Sequence, residues 1–414
     1  MTSPPPLPEP YRSGDPAIRR AGLSLFLAGV AVFALLYAPQ PLLPELSLSF
    51  HVTPAAATLT VSLATLTLAI GLLIAGPVSE RVGRTRLVHV SLAVASALGL
   101  LCAVAPSWEL LLIGRSLQGF ALAGLPAVGV AYLNEELHPS VAGAATGLYV
   151  GGNAIGGMSG RLVSGALDDL GGWRVALGGI GLLGVACAIA VVVLLPRSRR
   201  FVPAAPGLAT VAHSTRGVLT DPVLVGLYAL AALLMGAFVA VFNVLGFRLA
   251  APPYLLSTAA AGLVFLVYAL GSVSSTAAGG LADRFGRRTV VPIATLVMLT
   301  GILLTLLAPL PAVVAALAVM TIGFFAAHGV ASGWVAARAG LGGRARAQAA
   351  SMYLFAYYAG SSVGGSLAGR AWSTHGWGGV VILTAGFVLA ALAVTVLLAR
   401  STSLLGQGNP PVGS

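Results

Sequence analysis

The sequence predicts an all-α membrane protein: twelve transmembrane helices in two pseudo-symmetric six-helix bundles. Three observations point there. First, 57% of the 414 residues are hydrophobic, 8% are charged and the mean hydropathy is +0.96. Helices that are apolar all round belong in lipid or in a protein core. Second, the apolar residues fall into runs close to the ~20 residues needed to cross ~30 Å of hydrocarbon. Third, one charged turn occurs twice. Gly76–Arg86 reads GPVSERVGRTR and Gly279–Arg288 reads GGLADRFGRR. Gly76 falls on Gly279, Glu80 on Asp283, Arg81 on Arg284, Gly83 on Gly286 and Arg84 on Arg287, each pair 203 positions apart. Further along, Gly119-Phe120 falls on Gly323-Phe324, Tyr149 on Tyr353, Gly160 on Gly364 and Gly172-Trp173 on Gly376-Trp377, each 204 apart. A constant offset marks a duplicated unit, and copies running the same way each need an even number of spans.

In chain order, residues 1–20 read as a disordered, proline-rich tail. The run from Ala21 is too long for a signal-peptide core and is read as the first span. Spans are expected near 21–45, 54–78, 87–105, 108–133, 140–167 and 174–195, which together form the first bundle, 21–195. Residues 196–221, with Arg197, Arg199, Arg200, Arg216 and several prolines, form a polar linker. The second bundle, 222–399, has spans near 222–247, 257–280, 290–308, 311–336, 346–370 and 377–399, followed by a tail over 400–414.

All 22 basic residues are arginines, and the net charge is +11. Most of them sit in turns between apolar runs, which excludes a nucleic-acid surface and sets orientation instead. One set of turns, with both tails and the linker, carries 17 of the 22, including Arg344. By the positive-inside rule that side is cytoplasmic, so both termini are expected inside a bacterial inner membrane. Cys102 and Cys187 lie far apart in apolar runs and read as small buried hydrophobes rather than a disulfide or metal pair. A chain without lysine cannot hold a G-x-x-x-x-G-K-[ST] phosphate loop. No enzyme, cofactor or metal is expected, and the driving force must be an ion gradient or the solute's own.

Gly76–Arg86 and Gly279–Arg288 resemble the G-x-x-x-D/E-R-x-G-R-R/K loop signature of the major facilitator superfamily. Leu111–Gly119, LLIGRSLQG, resembles the fourth-helix signature of its proton-coupled members. The resemblance runs from about Arg20 to Arg400 and is nearest to bacterial drug and sugar efflux permeases. It implies a monomeric secondary transporter in the lipid bilayer, working by alternating access on a small-molecule solute, with proton-coupled efflux leading. Uptake or exchange of an organic anion is the alternative, and a non-transporting receptor on the same fold is the reading from another class. Two departures are visible. The fifth span reads Gly152 to Arg161 without the Gly-Pro motif of family antiporters, and Tyr37, Gln40 and Glu45 replace an acid in the first span.

The resemblance also assigns the repeated turns to a cytoplasmic gate: Gly76, Glu80, Arg81, Gly83 and Arg84, with Gly280, Asp283, Arg284, Gly286 and Arg287. In it Glu80 meets the start of the eleventh span and Asp283 the start of the fifth, each carboxylate at a helix N-terminus. A solvated, topology-setting turn fits the same residues. Arg115 lies about 10 Å inside the fourth span at ~1.5 Å per residue, a depth that demands protein or water around the charge. Either it pairs structurally with Glu45 or Glu109, or it faces a pathway with Gln118 one turn on. Arg161 is read as a pathway residue or as snorkelling outward. His328, deep in the tenth span, is a bundle hydrogen-bond partner or a proton site, since its unperturbed pKa is ~6.5. Asn153, Asn243, Tyr357 and Tyr358 line a pathway or bond helix to helix. The glycine series Gly143-Gly147-Gly151 and Gly152-Gly156-Gly160 in the fifth span, and Gly360-Gly364 in the eleventh, allow close helix packing.

Overall fold

A computed structural model describes residues 8–203, 208–341 and 346–400. The expected tail 400–414 beyond Arg400, residues 1–7, part of the linker and Arg344 lie outside them. Among the described residues every element is a helix, with a single isolated β-bridge between Tyr11 and Leu137. Ten helical stretches are long and apolar enough to cross a membrane. Two of them are double. α8 (Pro139–Leu194) has 56 residues and breaks at Gly171 and Gly172, while α15 (Arg346–Arg400) has 55 and breaks at Gly376. At ~1.5 Å per residue an unbroken helix of that many residues would be about 80 Å long, more than two hydrocarbon thicknesses. Each is therefore two spans joined at a glycine, which makes twelve. Gly172 (φ 79) and Gly376 (φ 58) occupy the left-handed region, which explains why glycine stands at these repeat-equivalent turns.

The remaining spans lie close to the expected ranges. α1 (Pro16–Tyr37) is capped by Asp15, whose carboxylate accepts the Ala17 N–H at 2.8 Å. It ends eight residues before the expected boundary at 45. Pro39, Pro41 and Pro44 force the turn that leads into the short α2 (Leu43–Ser49). α3 (Pro54–Ala57) runs into α4 (Leu59–Val82), then come α5 (Arg84–Ala103), α6 (Trp108–Leu122) and α7 (Gly124–Glu136). Past α8, the expected linker contains a helix, α9 (Leu208–Leu219), before α10 (Pro222–Ala250). α11 (Thr258–Leu263), a 3₁₀ turn and α12 (Ala269–Phe285) make one span, followed by α13 (Arg287–Leu304), α14 (Leu310–Leu341) and α15.

The chain divides into two compact units: Met1–Ala205 with Phe242–Ala269, and Pro206–Val241 with Leu270–Ser414. In the first, α8 lies along α1 through one glycine series. A methyl group on Gly152, Gly156 or Gly160 would overlap the backbone of Phe26, Val30 or Ala34, whereas Gly143, Gly147 and Gly151 face open space. In the second, Gly360 and Gly364 of α15 meet the backbone of Ala232 and Gly236 on α10 in the same way. The two repeats therefore use one packing device, close backbone approach through small residues.

The proline-rich tail is partly ordered. Pro16–Arg20 already belong to α1, and Tyr11 donates its N–H to the Glu136 carbonyl at 2.9 Å. The Glu136 carboxylate, 1% exposed, accepts the N–H groups of Arg199 and Arg200 at 2.9 and 3.0 Å. The Arg199 guanidinium covers the Tyr11 ring at 3.9 Å. A buried acid at the end of α7 thus fastens both the tail and the start of the linker.

Candidate functional site: charged and aromatic groups within the spans

Both repeated turns rest on a glycine at positive φ, Gly83 at 96 and Gly286 at 84. Each closes one helix and opens the next: the Gly83 N–H reaches the Ser79 carbonyl and the Gly286 N–H reaches that of Ala282, both at 2.9 Å. Arg84 then bonds the Ser79 hydroxyl and forks onto Glu135 at the end of α7, with Nη2 to Oε1 at 2.8 Å and Nε to the same oxygen at 3.2 Å. Asp283, Arg81 and Arg284 are exposed and Glu80 is half-buried; among the described residues neither acid makes an ion pair. Glu135 was not singled out from the sequence.

Arg115, on α6 and 2% exposed, reaches the C-terminal end of α1. Its Nη1 and Nη2 donate to the carbonyls of Leu35 (2.9 Å) and Leu36 (2.6 Å), and its Nε to that of Thr60 on α4 (3.0 Å). The last carbonyls of a helix have no partner in the helix and carry its negative dipole end, so a buried guanidinium satisfies both. Gln118 accepts from Arg115 and donates to the Ala95 carbonyl on α5 at 2.9 Å. Arg115 therefore ties α1, α4 and α6 together directly and α5 through Gln118. The expected pairing with Glu45 or Glu109 is not made: Glu45 sits on α2 and accepts the Ser49 hydroxyl at 3.3 Å.

Three predicted pathway residues gather at a fourth, a second buried arginine in the same unit. Arg161 on α8, also 2% exposed, donates from Nε to the Gln40 side-chain oxygen at 2.5 Å and from Nη1 to the Gly157 carbonyl. The Gln40 amide donates in turn to the Asn243 side-chain oxygen at 2.7 Å. Around the guanidinium stand the rings of Tyr37 at 4.2 Å, Tyr268 at 4.6 Å and Phe265 at 5.0 Å. Three aromatic faces and two side-chain amides accommodate a charge that lipid would reject. Snorkelling is therefore not how Arg161 is accommodated. Phe265 and Tyr268 went unrecognised from the sequence because they sit in an apolar run with no polar marker. Asn153 stands apart, half-buried against Gly29 of α1.

In the second unit His328 of α14 meets the Tyr353 hydroxyl of α15 at 2.9 Å through Nδ1. Its ring lies 4.7 Å from Tyr357 and stacks at 5.8 Å on Phe324, which stacks at 4.0 Å on Phe238. Tyr358 meets Tyr357 edge-on at 5.1 Å. Tyr353, noted only as a repeat position, is the direct partner of the histidine. Among the described residues no group of three His, Cys, Asp or Glu side chains could hold a metal ion.

Comparison with known proteins defines the class. Residues 25–273 match the family model of the Major Facilitator Superfamily. The chain is 44% identical over 389 residues to the inner membrane transport protein YnfM of Escherichia coli (strain K12), covering 94% of this chain and 93% of that protein. It is 40% identical over 398 residues to the MFS-type transporter YybF of Bacillus subtilis (strain 168), covering 96% and 98%. Among solved structures, a bacterial homolog of the human lysosomal transporter Spinster, inward-facing and unoccupied, superposes with a TM-score of 0.78 over 97% of this chain and all of that one, at 17% identity. The chain belongs to the Major Facilitator Superfamily: it is a multi-pass membrane transporter and not an enzyme.

Proposed function

We propose that the protein exports a small organic anion across the bacterial inner membrane by alternating access, in exchange for protons. The supporting observation is the sign of the charge buried inside its spans. Arg115 and Arg161 are each 2% exposed within α6 and α8. None of the eleven acidic residues lies mid-span. Glu80, Glu109, Glu135, Glu136 and Asp283 stand at helix ends, and Asp168 and Asp169 just precede the α8 break. Glu9, Asp15, Glu45 and Asp221 lie in the tail, in α2 or in a turn. Buried cations favour an anionic solute and disfavour a cationic one, the more so in a low dielectric. Arg115 spends its donors on carbonyls and acts as scaffold; Arg161, Gln40 and Asn243 are the anion-attracting group. His328, the histidine that stands deepest in a span, is the proton-exchanging residue, because imidazole is the side chain able to take up and release a proton there. Export is the direction implied by the efflux permeases that the repeated turns resemble.

In this reading the bundles 21–195 and 222–399 are the moving bodies of a monomer. The arginine-rich end with both termini is cytoplasmic, and Glu80 and Asp283 act with the arginines of the repeated turns as the gate on that side. The test is flux in proteoliposomes under pH gradients of either sign, with mixed panels of organic anions and organic cations. Saturable, gradient-driven movement of anions is expected. Movement of cations alone would sink the proposal, and ligand binding with no flux of any solute would favour a receptor.

A further inference from the structure

Where α1, α5 and α8 converge at the arginine-rich end, a cavity of about 850 Å³ opens between Arg20, Arg86, His89, Val90, Val193 and Arg197. Its size is that of a small-molecule site, ~300–1,000 Å³. Its lining includes three arginines and a histidine and no carboxylate. Arg86 and Arg197 are exposed and make no hydrogen bond or ion pair among the described residues. Arg20 uses one nitrogen, Nη2, on the Val193 carbonyl at 3.0 Å, and its other donors make no hydrogen bond among the described residues. The buried His89 Nε2 has no hydrogen-bond partner among the described residues. Toward the membrane the character changes at once. Val90 (52% exposed) and Val94 (45%) on α5 stand with Val193 (65%) and Ile189 (61%) on α8, an apolar face leading down from the charged rim.

We infer that this cleft binds an anionic phospholipid, its phosphodiester held by Arg86, Arg197 and Arg20 and an acyl chain laid along the α5–α8 face. A free phosphate would use the rim but gain nothing from the valines. A zwitterionic lipid would use the valines but bring a cation of its own among the three arginines. A lipid carrying net negative charge satisfies both halves. Basic pockets between transmembrane helices recognise such headgroups, and guanidinium forks match phosphate oxygens two at a time. The occupant would fasten α1, α5 and α8 together where the chain leaves the sixth span. This site is separate from the proposed anion pathway, and its test needs no transport.

The experiment is native mass spectrometry of the full-length protein in neutral detergent, titrated with phosphatidylglycerol, phosphatidylcholine or inorganic phosphate. Three proteins are compared: wild type, the Arg86→Gln/Arg197→Gln double variant, and an Arg216→Gln/Arg400→Gln control that removes two arginines elsewhere on the charged side. Wild type and control should bind one phosphatidylglycerol in preference to phosphatidylcholine, undisturbed by inorganic phosphate. The double variant should bind roughly 30-fold more weakly, about five-fold for each arginine. Equal binding by the double variant, equal loss in the control, or competition by inorganic phosphate would each overturn the inference. A second measurement needs no variant: a photoreactive phosphatidylglycerol should crosslink wild-type protein within 84–94 and 189–197, and adducts confined to other segments would refute the site.

Discussion

The Gln40 side chain donates to that of Asn243 at 2.7 Å, and the two residues stand 203 positions apart, the same offset that relates the two charged turns. Residues occupying one position in each repeat have become hydrogen-bond partners, both fully buried. Because Gln40 also accepts from Arg161, the pair holds a buried charge as well as each other. Gln40→Ala should leave Arg161 without one acceptor and Asn243 without its donor, costing about 1–3 kcal/mol. A thermal melt in detergent should show the loss, and an unchanged midpoint would mean the contact is dispensable.

Arg115→Lys keeps the charge but cannot reach three carbonyls and Gln118 at once. The variant should be less stable than wild type by a few kcal/mol, with flux falling only in proportion to the folded fraction. If Arg115→Lys melts like wild type yet loses pH-driven flux, Arg115 serves coupling and not scaffold.

Gly156→Val and Gly360→Val should each force α8 off α1 or α15 off α10, because even a methyl group there meets backbone. Neither protein should run as a single species on size exclusion. Gly147→Ala, facing open space, should purify like wild type.

Much of this packing was legible in sequence, and the limits of legibility are physical. Span positions follow from hydropathy, so α5, α13 and α14 fall within a few residues of expectation. The early end of α1 was signalled by Pro39, Pro41 and Pro44, which an average over apolar residues overrides. Two glycine series in the fifth span looked equivalent; only the helix opposite decides that Gly152-Gly156-Gly160 is the packed one. The partners of Arg115 are backbone carbonyls, which every residue possesses and no pattern marks. Glu135 lies 51 positions from Arg84, and such a pairing is fixed by the fold alone.

Asp221, just ahead of α10, makes a pH prediction. Burial pushes its carboxyl up, but the Arg338 guanidinium at 3.0 Å and the N–H groups of Leu224 and Val223 outweigh it and hold the pKa below the ordinary carboxylate range. A depressed folded pKa stabilises the protein above the unfolded value of ~3.9, and that contribution disappears as pH falls through the folded value. Asp221→Asn should therefore lower the melting temperature at pH 6 and flatten the decline below pH 4. A parallel decline in both proteins would remove Asp221 from the acid response.

The central claim, anion export in exchange for protons through His328, is tested most directly by proton movement that a solute gradient drives. Proteoliposomes holding a pH-sensitive dye are loaded with the organic anion and diluted into anion-free buffer at equal pH, with the membrane potential clamped. Wild type should acidify the lumen as anion leaves, and His328→Gln, which keeps a hydrogen-bonding side chain at Tyr353 without the titration, should not. Luminal alkalinisation, no proton movement, or equal acidification by His328→Gln would contradict the account.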